Sequence, residues 1–433
     1  MEFRGGNLRA LKKFISSEGG AVLPIAALVF PILMGFAGLG VDASAWMLKK
    51  RNLQTAADAA ALAGAWEVAF GEDEAAVDTA AEREATYNGY DPTQGGVLEA
   101  TILTDDDGVQ SVQVDIDQNA KVYFSSIFLD EDVTVATTAT ARITTTEGPF
   151  CLLSLDPDEG GAITTSGSVT IDAPGCGMAV NSGADDALAL NGAVVITVGD
   201  VRTVGGVEVD GGAAEFNYAS LKTNGYPVQD PYEDMAIPDF EGCSENDMRH
   251  AQDANNGDTL SPGVYCGGIS VQAGADITLS PGTYILDGGG FSANGGSITG
   301  EGVTIILTNS GGSAYGSYGN IEIRGNATVY LEAPPEGEEF EGVVIFQDRD
   351  APAAANEVNT VTGDSQIQIE GVVYTPSREF NFGGNGTGVS EQSEVCSKII
   401  AKTIILHGNP FIGNNCDGRG TQDIGISNVV LVN

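Results

Sequence analysis

The feature that most constrains this chain is an uncharged apolar run near its N-terminus. Residues 21–41 read AVLPIAALVFPILMGFAGLGV and contain no Asp, Glu, Lys or Arg. A helix of about 20 such residues is long enough to cross the hydrocarbon core of a bilayer. Pro24 and Pro31 would interrupt a soluble helix, but membrane helices tolerate proline better and bend there. The run predicts a single transmembrane helix over residues 19–41.

Charge is distributed unevenly along the chain. Residues 1–18 carry four basic and two acidic residues and residues 19–41 carry none, so the net charge of −41 leaves −43 on the rest of the 433 residues. Nucleic-acid binding depends on Lys and Arg that neutralise phosphates, so this acidity excludes DNA and RNA as partners. Solubility is one explanation of the acidity, and divalent-cation binding, calcium above all, is the alternative.

All six cysteines follow the apolar run and lie beyond residue 150. An even set on one side of a membrane anchor indicates an oxidising compartment. Their spacing predicts the disulfides Cys151–Cys176, Cys243–Cys266 and Cys396–Cys416. A structural zinc site is not favoured, because no CxxC occurs and His250 and His407 lack ligand spacing. With the basic tail, the cysteines predict a protein that crosses a membrane once, with a cytoplasmic N-terminus and a body outside the cytoplasm.

Helix-forming sequence continues past the run as WMLKKRNLQTAADAAALAGAW, rich in Ala and Leu. A narrow small-residue stripe recurs at helical spacing: Leu48, Leu53, Ala57, Ala60, Ala61 and Gly64. Two interpretations stay open: a packing face for a partner helix, at Ala57, Ala60, Ala61 and Gly64, or packing against the protein's own sheet. Residues 97–146 then alternate, and VQSVQVDID, KVYFSSIF and VTVATTATARITT are predicted as strands of a small antiparallel sheet. Asp105 to Gly108 is predicted as a turn, since the terminal Glu of a calcium loop is absent.

The segment GGAVLPIAALVFPILMGFAGLGVDASAWMLKKRNLQTAADAAALAGA resembles the N-terminal signature of TadE/TadG-like proteins of the tight-adherence (Flp) pilus system. The positions that fit that pattern are Gly38, Val41, Asp42, Leu53, Gln54, Ala56, Ala57, Asp58, Ala59, Ala60, Ala61, Leu62, Ala63 and Gly64. The resemblance extends to VYFSSIFLDEDVTVATTATARIT and covers residues 19–146. It implies a pilin-like α+β region over residues 42–146 and other pilin-like or Tad pilus-assembly proteins as partners. It also implies a single-pass protein of the bacterial inner membrane, with a periplasmic or cell-surface body.

Two processing alternatives concern the N-terminus. Ala43-Ser44-Ala45 resembles a signal-peptidase site, although the apolar run exceeds the core of a typical signal peptide. Cleavage after Gly20 of the kind seen in prepilins is less favoured, because the fifth residue beyond it is Ile25, where a class III prepilin carries Glu. A retained anchor is the preferred prediction.

Residues 150–433 are predicted to form one large β domain. Short apolar strands recur between Gly, Asn, Asp and Ser turns, and LSPGVYCGGISVQ at Leu260 is echoed by LSPGTYILDGGGF at Leu279, 19 residues later. Such a period suits successive coils of a right-handed parallel β-helix, and an antiparallel β-sandwich is the alternative. The C-terminal segments GVVIFQDRD and CSKIIAKTIILHGNPFIGNNC also resemble a β-helical region of some TadG-like proteins. The D-x-S-x-S metal motif of the von Willebrand A-like branch does not occur.

A parallel β-helix also raises the possibility of an enzymatic role, because such folds often act on acidic polysaccharides. Convergent carboxylates with a nearby cation would be required. The candidates are Asp348, Arg349 and Asp350, and the pairs Asp156 with Asp158 and Asp185 with Asp186. A domain this acidic would bind a polyanion poorly, so each candidate is better explained as a solvated turn. We therefore expect a non-catalytic pilus component without a cofactor. A surface adhesin that binds glycans is the first alternative, and a polysaccharide-acting enzyme is the second.

Overall fold

A computed structural model describes residues 22–105, 108–127, 133–148, 150–211, 214–241, 252–310, 317–352, 357–362, 367–385, 396–410 and 412–432. These residues form two compact units. The described residues up to Thr144, together with those from Ser427 onward, form the helix–sheet unit. Residues Thr145–Ile426 form the parallel unit.

Helix α1, Val22–Ala69, is 48 residues long and begins the helix–sheet unit. In the described part of the chain it is the one helix long and apolar enough to cross a membrane. Side chains from Ile25 to Phe36 are exposed, whereas those from Leu53 onward form one side of a core. Gly71, at φ +78°, ends this helical run, and the Asp73 carboxylate caps α2, Glu74–Tyr87, by accepting from Ala76 N at 3.0 Å.

A four-stranded sheet covers the second half of α1. Strands β1 (Gly96–Thr104), β2 (Gln110–Ala120) and β3 (Val133–Glu147) pair antiparallel in that order. Every second residue of β2 is buried, because one face packs on the helices. The last strand, β27 (Gly425–Val432), lies beside β3. The prediction that residues 150–433 all belong to the C-terminal domain is therefore wrong for this strand.

The described part of the segment KVYFSSIF, residues 121–127, is not a strand. Residues 121–124 are irregular and Ser125–Ile127 form a 3-10 turn. The prediction was wrong because a buried carboxylate of α1 binds the backbone amides here, a tertiary interaction that overrides the strand propensity of these residues.

The described residues of the parallel unit contain 23 strands in one sheet. Their bounds are β4 Phe150–Ser154, β5 Ile163–Ala173, β6 Gly177–Val180, β7 Leu188–Asn191, β8 Ala193–Thr203, β9 Val207–Asp210, β10 Glu215–Lys222, β11 Gln252–Ala254, β12 Thr259–Leu260, β13 Gly263–Cys266, β14 Ile269–Val271, β15 Asp276–Leu279, β16 Gly282–Asp287, β17 Phe291–Gly300, β18 Val303–Thr308, β19 Ile321–Glu332, β20 Val343–Gln347, β21 Asn359–Thr362, β22 Ile367–Thr375, β23 Phe380–Asn385, β24 Cys396–Ala401, β25 Ile404–Asn409 and β26 Gly413–Asn414.

Pairing in this unit is parallel, and among the described pairs only β24 with β26 runs antiparallel. The repeat seen in the sequence is the pairing register itself, since Leu260 lies opposite Leu279. Side chains on one face of these strands share one apolar core. The antiparallel sandwich that the sequence left open is not formed by the described residues.

The first strands of the parallel unit lie in the interior of its sheet. From β4 and β5 the chain proceeds through β6 and β8 to β10, which pairs with no further described strand. It resumes at β11 and adds parallel strands until β24 pairs with β4 and β25 pairs with β5. Strands late in the unit are therefore paired with its first strands.

Residues 226–240, which we call the return segment, follow β10 and cover the outer face of several strands. Val228 and Tyr232 are buried in a second apolar cluster with side chains of β4, β18, β20, β22 and β24. Asn181 holds the segment through Val228, accepting from its N and donating to its O, both at 2.8 Å. Because of this cover, β4, β18, β20 and β24 are buried on both faces.

Candidate functional site

The junction between the apolar part of α1 and the sheet is built around Asp42. Its side chain is fully buried. Oδ1 accepts from Tyr123 N at 3.2 Å, and Oδ2 accepts from Phe124 N at 2.9 Å and from both N and Oγ of Ser125 at 2.5 Å. A buried carboxylate is stable only when hydrogen-bonded in this way. Asp42 therefore fixes the turn at residues 123–125 to the helix.

Gly38 lies one helical turn before Asp42 and makes room for the same turn. A Cβ atom at Gly38 would lie 2.8 Å from Cβ and 2.9 Å from Cγ of Phe124. Any larger residue would push Phe124 away from the helix. Sequence reasoning noted both Gly38 and Asp42 but missed their partners, because nothing in the local sequence shows which residues a buried carboxylate will bind.

The small-residue stripe of α1 is an internal packing face. Ala57, Ala60 and Ala61 are fully buried, and a Cβ at Gly64 would lie 3.1 Å from Cγ1 of both Val112 and Val77. These four residues are covered by β2 and α2 of the same unit, so the interpretation as a partner face is corrected in favour of the own-sheet alternative. Small residues are needed there because they let the helix approach the sheet closely.

Polar residues beside this face tie α1 to the strands. Gln54 Nε2 donates to Asp58 Oδ1 at 2.8 Å and to Thr138 O in β3 at 3.0 Å. Lys49 Nζ donates to Oε1 of the fully buried Gln118 in β2 at 2.6 Å. These contacts hold the helix to β2 and β3 at the N-terminal end of its buried part. By contrast, Leu48 is 61% exposed and lies outside the core.

Residues 19–67 match the family described as Flp pilus-assembly TadE/G-like. This segment is TadE/G-like. No curated protein and no solved structure matches the chain. The matched residues contain Gly38, Asp42, Gln54 and the buried alanines, so the residues that carry the family resemblance also carry the contacts described above.

The TadE/G-like segment suggests a component of the Tad pilus-assembly machinery that interacts with other such components. It also suggests a non-enzymatic role. With the apolar half of α1, it fits a membrane-anchored protein.

Disulfides lie in the parallel unit and none of the chain's cysteines precedes residue 150. The structure joins Cys151 to Cys176, with Cα atoms 5.4 Å apart, and Cys396 to Cys416, with Cα atoms 4.7 Å apart. These are two of the three pairs that the spacing predicts. Cys266 is also disulfide-bonded, and Cys243 lies outside the described residues.

The QDRD residues do not converge on a catalytic site. Asp348 accepts from Thr308 Oγ1 at 2.7 Å and from Asp350 N at 3.0 Å. Arg349 donates to the carbonyls of Tyr232 and Met235 and lies over the Tyr374 ring, 5.2 Å from its centroid. Arg349 therefore holds the return segment in place.

The other acidic candidates lie in turns. Asp156 follows β4 and accepts from the amides of Asp158 and Glu159 at 2.9 and 2.7 Å. Burial raises its pKa, but these two hydrogen bonds and nearby Lys402 outweigh burial and lower the pKa below its ordinary value. Asp185 and Asp186 lie in the turn between β6 and β7.

The remaining candidates are equally local. Asp105 accepts from Val109 N at 2.8 Å and pairs with Arg142 at 2.7 Å, as in a hairpin turn. His407 Nδ1 lies 3.3 Å from Ser166 O, and His250 lies outside the described residues. Among the described residues no group of three or more His, Cys, Asp or Glu could hold a metal ion.

A groove of about 450 Å³ lies on the parallel unit, lined by residues of β5 and β25 and of neighbouring turns. Its charged lining is Glu159, Glu357, Arg378, Glu379 and Lys402. Arg378 forms an ion pair with Glu357, and Lys402 pairs with Asp156 at 3.4 Å. Burial first, and then Glu159, raise the pKa of Glu379, with His407 opposing. Because its two cations are already paired, the groove offers little to a polyanionic substrate.

Proposed function

We propose that this protein is a membrane-anchored, non-catalytic structural or assembly component of a Tad/Flp-type pilus. The observation that carries the proposal is the coincidence of the family match with the Gly38–Asp42 junction. The match ends within α1, yet its residues fix the helix to a sheet of the same chain. A segment used in this way is a building block rather than a free export signal.

The topology that follows has the tail at residues 1–18 in the cytoplasm, one span in the inner membrane and both units outside it. The disulfides support this arrangement, because they form and persist in oxidising compartments. Protease added to spheroplasts should then degrade the parallel unit. Full protection of that unit while the outer face is accessible would refute the topology.

We also infer that the parallel unit is a right-handed parallel β-helix. The parallel register, the 19-residue offset between Leu260 and Leu279 and the shared inner core support a coiled path. Right-handedness follows from the general preference of parallel crossover connections. An experimental structure that resolves the main-chain path of two consecutive coils tests the handedness directly.

Deletion of the gene in its native host tests the pilus role. We expect loss of surface pili in electron micrographs and their return when the wild-type gene is supplied. The variant Asp348→Asn should also restore pili, because the proposed role needs no carboxylate chemistry at that position. Normal pili in the deletion strain would contradict the proposal, and normal pili with lost surface attachment would favour the adhesin alternative.

A further inference from the structure

A cavity of about 320 Å³ lies in the helix–sheet unit where α1 leaves its apolar part. Trp46, Lys49 and Asn52 line it from the helix, and Asn119, Lys121 and Tyr123 line it from the end of β2 and the following turn. The indole N–H of Trp46 is buried and finds no hydrogen-bond acceptor among the described residues. Two ammonium groups, amide side chains and an indole N–H are thus gathered around one space.

The cavity has no Asp or Glu in its lining, although the chain contains 60 acidic residues. The neighbouring carboxylate is that of Asp91, which lies outside the lining, accepts from Gln94 Nε2 at 2.7 Å and interacts with Lys49. The other two cavities described in the structure differ. The groove across the parallel unit includes three glutamates, and a cavity of about 560 Å³ near Cys416 includes four acidic residues. A lining with lysines and without carboxylates favours an anionic ligand.

The position of this cavity along α1 is that of a lipid headgroup. Trp46 and Lys49 follow Val41, the last residue of the uncharged run, by five and eight residues, or about 8 and 12 Å along the helix. Phe124 packs at Gly38, within the apolar run itself. The turn at residues 123–124 therefore reaches the depth at which the hydrocarbon core ends.

Apolar side chains around the cavity are exposed. The exposed fractions are 70% for Met47, 61% for Leu48, 59% for Tyr123 and 52% for Phe124. Aromatic residues of this kind are enriched at membrane–water interfaces, and long basic side chains extend to headgroups from such positions. Lys50 and Arg51 add two exposed positive charges beside Lys49.

We propose that this surface binds an anionic phospholipid of the bilayer that α1 crosses. The Tyr123–Phe124 turn lies in the interfacial layer, and Lys49, Lys121 and the Trp46 indole N–H hold the lipid phosphate. The binding orients the helix–sheet unit on the membrane surface. It also gives a role to Lys49, Lys50 and Arg51, which stand on the side of the span where positive charge is otherwise uncommon. The inference depends on the membrane anchor and not on the pilus role.

Lipid selectivity of the full chain tests the site. The protein is reconstituted in phosphatidylcholine vesicles that contain a trace of spin-labelled phosphatidylglycerol or phosphatidylcholine, and electron spin resonance gives the relative association constant. We expect a preference for phosphatidylglycerol that falls by up to about fivefold in Lys121→Gln, the contribution of one lysine at an anionic surface. Lys49→Gln combined with Lys121→Gln should lower it further than Lys121→Gln alone, and Lys222→Gln, at an exposed lysine of β10, should not alter it.

Equal association of both lipids in the wild type, or an unchanged preference in Lys121→Gln, would overturn the proposal. Displacement of the labelled lipid by excess inorganic phosphate would assign the site to a free anion and overturn it as well. Lys121 makes no described contact on which folding depends, so its variant stays informative if Lys49→Gln is unstable.

Depth of the turn is measured separately, with tryptophan fluorescence and brominated lipids. The two native tryptophans, Trp46 and Trp66, are replaced by Phe, and a single Trp is placed at Phe124 or, as control, at the exposed Tyr87. Lipids brominated in the upper acyl chain should quench Phe124→Trp and leave Tyr87→Trp unaffected. Equal quenching at both positions, or none at Phe124→Trp, would overturn the placement of the turn in the interface.

Discussion

The two units of this chain bury their strands in different ways. In the helix–sheet unit, β2 alternates buried and exposed residues because only one face of the sheet meets the helices. In the parallel unit, β20 is buried throughout, because the core lies on one face and the second apolar cluster, with the return segment, on the other. A strand with two covered faces has a continuous apolar sequence, whereas a strand with one covered face alternates apolar and polar residues.

The comparison shows what each unit needs to be complete. The helix–sheet unit needs small residues on α1, so that a helix and a sheet can approach. The parallel unit needs a cover for the outer face of its most apolar strands, and its own chain supplies that cover as the return segment. A substitution in the small residues of α1 should leave the stability of the parallel unit unchanged, and a substitution in the return segment should leave that of the helix–sheet unit unchanged.

The largest effect is expected from removal of the Tyr232 side chain. This ring is 1% exposed, packs 5.7 Å from the Tyr374 ring, and its hydroxyl accepts from Gln422 N at 2.8 Å. Tyr232→Ala should lower the free energy of unfolding of the parallel unit by about 3–5 kcal/mol, as for other large buried aromatics. Urea denaturation measures it. Tyr226→Ala, in the same segment but at a position 54% exposed, should change it far less, and equal losses would show that the segment is not a structural cover.

Loss of a disulfide ranks next. Cys396→Ser together with Cys416→Ser opens a loop of 20 residues and should destabilise the parallel unit by about 3 kcal/mol. The helix–sheet unit should be unaffected, because no cysteine precedes residue 150. Hydrogen exchange measured at increasing temperature, and read from peptides of each unit, shows which of the two units is destabilised. A similar loss of protection in α1 would remove the distinction drawn between the units.

A larger side chain on the alanine face of α1 tests the close packing of this helix on the sheet. Ala61→Leu places three extra carbons where the side chain is fully buried, and should cost about 1–3 kcal/mol in the helix–sheet unit. Ala59→Leu, on a partly exposed side of the same helix, is the matched control and should cost less. Equal stability of the two variants would restore the interpretation of the stripe as a surface for another protein.

A small, pH-dependent effect is expected at Asp156. Since its folded pKa lies below the ordinary value of 3.8, the ionised carboxylate stabilises the fold above that pH, and the contribution is lost as the pH falls through the folded pKa. Asp156→Asn should therefore lower stability by about 1 kcal/mol or less at neutral pH and have no effect in acid. Denaturant titrations at both pH values measure it. A loss that persists in acid would contradict the electrostatic explanation.

Much of this architecture could be predicted from local sequence. The long helix needs only Ala- and Leu-rich sequence, and the parallel pairing of strands is visible in the 19-residue echo because Leu260 and Leu279 lie opposite each other in register. Two of the disulfides join cysteines that are close in sequence. These features depend on contacts between residues near one another along the chain.

Features that depend on distant contacts could not be predicted. The turn at residues 123–125 is fixed by Asp42, more than 80 residues earlier. The strand β27 lies beside β3, almost 300 residues before it, and no local pattern specifies that partner. The pairing of β24 with β4 could not be predicted for the same reason. Any neighbouring strand would satisfy the backbone hydrogen bonds of β4, so the sequence of β4 does not specify β24 as its partner.

The central claim is that each unit closes its own core, with the parallel unit inserted between β3 and β27. Gly148 N donates to Ile424 O at 3.2 Å, so the two ends of the insertion are adjacent and a short Gly-Ser linker can replace residues 149–423. The measurement is hydrogen exchange of that shortened protein in detergent micelles. The account predicts that peptides of α1 around Ala57 to Gly64 and of β2 stay as protected as in the full chain. Rapid exchange of those peptides would contradict it.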